Sequence, residues 1–236
     1  MYIKILIIKG SKIINGYKKI ETLGYGSFSK VKLIKNIHTN QIYAAKIINK
    51  RALEKKKKGF FKDENGNLVV NNLLQDSLRE IAILKKLNHS NIIKLYEIIY
   101  DDDAGKIYLI LECCNKGPIL KFDEFTGEFS INKHYVNDGT NKIDYTEEEI
   151  KDFLRGIVCG LHYLHVNNVI HRDIKHDNIL LDDNFQTKIT DFNVSTLIDN
   201  DKSDTVGKKI EGTTYFMAPE CCEGRIIVKY KLFFNK

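Results

Sequence analysis

Along the first half of the chain, apolar positions come in short runs broken by turn-forming residues. "YKKIETLG", "SKVKLIKN" and "QIYAAKIIN", from Tyr17 onward, read as three strands. A lysine-rich stretch follows, and after it the polar "GFFKDENGN" reads as a turn-rich insertion. "QDSLREIAILKKL" (Gln75–Leu87) then switches to helical spacing and predicts an amphipathic helix. Two more strands fit "IIKLYEII" and "KIYLILEC", joined by the acidic turn "DDDAG". The pattern therefore predicts about five strands and one helix before the character changes.

The change comes at Cys113–Gly117. Beyond it "FDEFTGEFSINKHYVNDGTNKID" has no periodicity and reads as an inserted loop, near 121–144. In "YTEEEIKDFLRGIVCGLHYLHVNN", Thr146 precedes Glu149 by three residues, the capping-box spacing that opens a helix. Phe153, Ile157, Leu161 and Leu164 form its apolar stripe. "NILL" and "TKIT" further on read as a small hairpin, and no internal repeat is present.

Composition alters this picture little. A chain of 236 residues, 43% apolar and 29% charged, can fold as one large domain or two small lobes. Its net charge of +6 comes largely from "NKRALEKKKK" (Asn49–Lys58), which reads as a solvated helix face rather than a nucleic-acid site. The opening "MYIKILIIKGSK" has an apolar run of only four residues, too short for a membrane span. Neither nucleic acid nor membrane is an expected partner. Five cysteines, two pairs of them adjacent, lack zinc-site spacing and predict reduced thiols and a cytoplasmic location.

Candidate chemistry concentrates in a few places. "LGYGSFSKV" (Leu23–Val31) sets two glycines between strands: a hairpin turn, or a loop whose N–H groups can approach a phosphate. Lys46, inside an apolar strand, either snorkels at an edge or points its ammonium at a buried anion, with Glu80 a candidate partner. Between His171 and Asn178 lie Asp173 and Lys175, and thirteen residues after Asn178 comes Asp191. Oxygen donors brought together across a small hairpin suit magnesium, and a spare aspartate can accept a hydroxyl proton.

With "GTTYFMAPE" (Gly212–Glu220) these segments, in this order, resemble the protein-kinase signature over Tyr17–Glu220. The resemblance implies an α+β, bilobal fold: a strand-rich N-lobe over 17–112, a hinge over 113–117 and a partial helical C-lobe over 118–220. Residues 1–16 become an N-terminal extension and 221–236 an atypical tail. ATP and magnesium are the implied cofactors, and transfer of the γ-phosphoryl group to protein hydroxyls the implied reaction. By the same resemblance Gly24 and Gly26 lie over the phosphates, Leu23 beside them contacts ATP, and Val31, Ala44 and Leu180 enclose adenine. Leu111 is the gatekeeper, and the backbone of Glu112 and Cys114 bonds the base. Lys46 holds phosphates and pairs with Glu80, Asp173 is the catalytic aspartate, Lys175 contacts phosphate, and Asn178 and Asp191 bind the metal. "LREIAILKKLNHSNIIKLYEI", "NKGPIL", "HRDIK" and "KITDFNVS" most resemble the calcium/calmodulin-dependent kinase kinases and related activators of AMP-activated kinase. Protein substrates, other kinases among them, are therefore the implied partners. Calmodulin is not implied, because no basic amphipathic helix follows.

Several positions depart from the family pattern. Ser29 replaces a third loop glycine, and His176 and Thr214 replace prolines. Asn193 replaces the glycine after Asp191 and Phe192, and is expected to adopt positive φ, which asparagine accepts more readily than most residues. By the same resemblance Arg172 pairs with a phosphorylated residue of the segment before Glu220, for which Thr205, near Lys208 and Lys209, is the candidate. Glu220 stands sixteen residues from the end, and "GRIIVKYKLFFNK" resembles nothing in the family. The alternative expectation is accordingly an inactive, truncated fragment that binds nucleotide or a partner.

Overall fold

The computed structural model describes residues 5–8, 11–26, 28–55, 57–62, 68–123, 125–131, 145–197 and 213–222. The strand-rich half is built on a seven-stranded sheet. In chain order its strands are β1 (Ile5–Ile8), β2 (Ser11–Ile14), β3 (Tyr17–Tyr25), β4 (Ser29–Asn36), β5 (Ile42–Asn49), β8 (Leu95–Asp101) and β9 (Lys106–Leu111). They lie in the order β1-β2-β3-β4-β5-β9-β8, every pair antiparallel.

Central strands β5 and β9 are buried on both faces, which explains their near-continuous apolar character. Ile48, Ile107 and Leu109 join one core cluster; Ala45, Ile47, Tyr108 and Ile110 join another with Ile14, Ile34 and Ile99. Ile14 belongs to the first sixteen residues. That segment, read above as an extension, supplies two sheet strands and one residue of the second cluster.

Helix α2 (Leu73–Lys86) packs on the first cluster through Ile81, Ile83 and Leu84. Between β5 and α2 the insertion is more regular than its composition suggests. Helix α1 (Lys50–Lys55) buries Leu53, and β6 (Lys57–Lys62) pairs with β7 (Leu68–Asn72). The lysine-rich run is thus helical only to Lys55.

In the second half, helix α3 (Glu147–Val166) starts at the predicted capping box: Thr146 and Glu149 exchange side-chain and backbone bonds at 2.8 and 3.3 Å. Phe153 and Leu164 are buried, with Ile157 and Leu161 half-buried against the core. Strands β14 (Ile179–Leu181) and β15 (Thr187–Ile189) form the predicted hairpin and add β10 (Gly117–Pro118) at its edge. Short strands β13 (Val169–Ile170) and β16 (Thr196–Leu197) pair beside it, and α4 (Pro219–Cys222) is the last described element.

The segment read as a structureless loop needs correction. Its start is a hairpin, β11 (Leu120–Phe122) on β12 (Phe129–Ile131). Asp123 closes the turn by accepting the N–H groups of Phe125 and Thr126. Phe122 and Phe129 meet each other and the His176 ring. Only about three residues pair on each side, too short a run for strand periodicity to register.

The halves are joined by backbone as well as side chains. Ile93 N–H donates to the Ile189 carbonyl and Ile189 N–H to the Asn91 carbonyl, at 3.0 and 2.9 Å. This junction brings the two groups of candidate residues together. Among the described residues no helix is long and apolar enough to cross a membrane.

Candidate active site

Lys46 sits mid-way along β5, with Val31 on one neighbouring strand and Leu109 on the other, while Gly24 lies opposite Val31. Its ammonium is buried, and it donates to Glu80 Oε1 at 2.6 Å, Asp191 Oδ1 at 3.1 Å and Asn193 Oδ1 at 3.0 Å. The open alternatives for Lys46 resolve here: it points at the buried Glu80 carboxylate and, beside it, the partly exposed Asp191. Burial opposes its charge, but the Glu80 and Asp191 carboxylates more than offset this and hold it above the ordinary lysine range. Burial is also the main force on Glu80, raising it against the pull of Lys46. An isolated charge here would be costly, and the pairing is what makes burial tolerable.

Asn193 does not adopt the positive φ expected of it. The left-handed residues at the site are Asp191, at φ 62°, and Arg172, at φ 71°. Asn193 instead uses its carboxamide oxygen as an acceptor for Lys46. Phe192 between them is fully buried, edge-on to His171 at 4.9 Å, and packs in the cluster that includes Leu84 and Leu95. Left-handed conformations cost non-glycine residues energy, and this packing supplies the constraint that holds one at Asp191.

The second group surrounds Asp173, in the loop between β13 and β14. Asp173 Oδ1 accepts from the Thr213 hydroxyl at 2.8 Å and the Thr213 N–H at 2.9 Å. Oδ2 accepts from Asn178 Nδ2 at 2.9 Å and lies 3.3 Å from Lys175 Nζ, which itself donates to Thr213 Oγ1 at 2.7 Å. Burial alone would raise this carboxyl. Thr213 and Lys175 reverse the effect and hold it below the ordinary carboxylate range. Asp173 is therefore an ionised, four-sided oriented base at neutral pH.

His171 supports the loop from beneath. Its Nε2 lies 2.8 Å from the Thr190 carbonyl and must carry the proton there, while Nδ1 accepts from the Asp173 N–H at 3.3 Å. Burial pushes its pKa down and keeps this neutral tautomer. The Thr190 N–H donates to the Asn178 carbonyl at 2.9 Å, which ties the Asp191 segment to the Asp173 loop.

The remaining candidates line the seam. Val31, Ala44 and Leu180 are half-buried, Ala44 pairs with Leu111, and Leu180 pairs with Pro118 just past the hinge. Leu23 is about half exposed at the end of β3, and Gly24 has no heavy atom within 4 Å of where a Cβ would stand. At the hinge, Glu112 N–H donates to the Lys94 carbonyl and Gly117 N–H to the Cys114 carbonyl. Lys188 Nζ holds the Glu112 carboxylate at 2.7 Å from behind.

Three contributors escape sequence reasoning. Thr213 stands forty residues from Asp173, inside a motif that marks the segment but not the contact. Lys188 looks like the exposed member of a hairpin. Asn193 signalled backbone conformation, whereas its side chain makes the contact. Thr205, Lys208 and Lys209, with the segment proposed to dock on Arg172, lie outside the described residues.

Comparison with known proteins agrees with this geometry. The protein kinase domain model matches residues 17–230, which runs into the stretch read as an atypical tail. A probable serine/threonine-protein kinase of Dictyostelium discoideum is 37% identical over 213 residues, covering 90% of this chain and 26% of the relative. SNF1-activating kinase 1 of Saccharomyces cerevisiae is 35% identical over 222 residues, 90% of this chain and 18% of the relative. The calcium/calmodulin-dependent protein kinase kinase of Caenorhabditis elegans is 36% identical over 214 residues, 88% and 36%. The chain thus spans roughly a fifth to a third of these relatives. With the bilobal architecture, the Lys46–Glu80 pair and the Asp173 cluster in place, the chain belongs to the protein kinase domain family.

Proposed function

We propose that this chain is the catalytic region of a protein serine/threonine kinase that transfers the γ-phosphoryl group of ATP to protein hydroxyls, and that its substrates include other kinases. One observation carries the reading: two preorganised polar groups meet at the lobe junction, Lys46–Glu80–Asp191 on one side and Asp173–Lys175–Asn178 on the other. The names of the SNF1-activating and calcium/calmodulin-dependent kinase kinase relatives support the finer part.

The residues present fit a magnesium–nucleotide. Asn178 spends its carboxamide nitrogen on Asp173, which leaves its oxygen for a cation, and Asp191 offers a partly exposed carboxylate. Two hard oxygen donors are what magnesium takes from a protein when phosphates complete its shell. The bound nucleotide and metal supply the transferable group and the charge that stabilises its transfer. Lys46 holds the α- and β-phosphates, steered by Glu80, under the loop bearing Gly24 and Gly26. Val31, Ala44 and Leu180 cover the base, and Lys188 fixes Glu112 so that the hinge backbone of Glu112 and Cys114 stays placed. Asp173 aims the substrate hydroxyl and accepts its proton, while Lys175 keeps a positive charge beside it. Free thiols at Cys113, Cys114, Cys159 and Cys222, together with ATP use, fit the cytoplasm.

In the complete protein, Asp173→Asn should keep nucleotide affinity and abolish phosphorylation of serine and threonine peptides, measured by transfer of labelled phosphate. Near-normal transfer by that variant would overturn the assignment. Equal rates on kinase-domain substrates and on unrelated serine peptides would remove the finer part alone.

A further inference from the structure

A lysine ammonium carries three N–H donors and no acceptor. At Lys46 all three are matched within the chain, by Glu80 Oε1, Asp191 Oδ1 and Asn193 Oδ1. A phosphate oxygen can therefore reach a Lys46 proton only by displacing one of these acceptors. The three differ in how easily they leave.

Glu80 makes the shortest bond, is 2% exposed, and has a second oxygen, Oε2, with no partner among the described residues. Removing Lys46 from it would strand a buried carboxylate, the most expensive choice. Asp191 carries a full negative charge, so its bond to the ammonium is charge-assisted on both sides. Asn193 is neutral and belongs to an exposed residue, so its carboxamide can exchange Lys46 for water at little cost. It is the acceptor that gives way. A glycine at this position has no side chain to offer, so the competition comes from asparagine itself.

We infer that Asn193 is an internal competitor for phosphate: its carboxamide caps Lys46 in the nucleotide-free protein and is displaced when a nucleotide phosphate binds. The inference rests on the reading of Lys46 as the phosphate-holding residue. Asn193 thereby lowers nucleotide affinity while keeping Lys46 positioned between turnovers.

Calorimetric titration of the complete protein with ADP and with adenosine tests this, since only ADP carries phosphate. Asn193→Ala should tighten ADP binding by about three- to tenfold, roughly one net hydrogen bond, and leave adenosine unchanged. Asn193→Asp, with a charged acceptor that also repels phosphate, should weaken ADP binding at least about tenfold. Thermal unfolding without nucleotide confirms that both variants fold. Unchanged or weaker ADP binding by Asn193→Ala, or equal shifts for ADP and adenosine, overturns the competitor role. If wild-type protein binds ADP no better than adenosine, or Lys46→Met keeps the preference for ADP, the phosphate role of Lys46 fails and the competitor role falls with it.

Discussion

Thr213 shows how one hydroxyl sets the chemistry of another residue. It donates twice to Asp173 Oδ1 and takes the Lys175 ammonium on its own oxygen, so orientation and charge of the carboxylate depend on it. Thr213→Val preserves shape and the backbone bond but removes the hydroxyl. Burial then acts on Asp173 with less opposition, and its pKa should rise toward the ordinary range. The acid limb of the kcat–pH profile should move to higher pH, and kcat should fall about tenfold, the scale of one hydrogen bond to a charged group. Thr213→Ser should restore both. A profile that does not move in Thr213→Val would mean that Lys175 and Asn178 suffice.

Helix α3 shows what an element needs beyond an apolar stripe. Gly156 and Gly160, one turn apart, face the Asn91 turn and β15. A Cβ on Gly156 would collide with Thr187 Oγ1 and stand 2.8 Å from Asn91 Nδ2, and one on Gly160 would stand 2.8 Å from Ile189 Cδ1. Asn91 is already engaged with the Thr187 carbonyl at 3.0 Å, so it has little freedom to retreat. Gly156→Ala should therefore cost about 1–3 kcal/mol despite alanine's better helix propensity. Thermal unfolding should show this as a drop of several degrees, at about 2–4 °C per kcal/mol for a chain of this size. Thr146→Ala, which removes the cap at the exposed end, should cost about 1 kcal/mol. A neutral Gly156→Ala would mean the helix can shift without disturbing the junction.

At the scale of the whole molecule, stability depends on pH through histidines that burial keeps neutral. His171 is buried neutral between the Thr190 carbonyl and the Asp173 N–H, with a folded pKa below its unfolded value of 6.5. Above 6.5 neither state is protonated and the contribution is complete. As pH falls below 6.5 the unfolded chain takes up the proton first, so stability declines until the folded value is reached, at up to about 1.4 kcal/mol per pH unit. His89 and His165, also lowered chiefly by burial, add in the same direction. The melting temperature should therefore fall between pH 7.5 and 5.5. His171→Phe should lower it at pH 7.5, through two lost hydrogen bonds, and shrink the fall on acidification. An undiminished fall in that variant would place the acid sensitivity elsewhere.

What the chain determines by itself is whatever rests on local spacing. β3, β4, β5, β8 and β9, the helical pattern of α2, and the Thr146–Glu149 cap of α3 all follow from periodicity and turn chemistry within a few neighbours. The order of the polar motifs is equally local, and through the kinase resemblance it names Lys46, Glu80, Asp173, Lys175, Asn178 and Asp191, which the fold brings together. Tertiary structure decided the rest. Pairing of Lys46 with Asp191 and of Thr213 with Asp173 joins positions 145 and 40 residues apart, and no spacing rule encodes such contacts. Residue preference alone predicts positive φ at Asn193, and the fold does not keep it because that preference is a weak term. The buried Phe192 and the Lys46 ammonium constrain that turn more strongly, and they place the left-handed residue at Asp191 instead. Strands β1 and β2 and the Phe122–Phe129 hairpin gain definition only from the surfaces they cover. Burial is a property of the assembled sheet and lobes, and it decides which weak local preferences are kept.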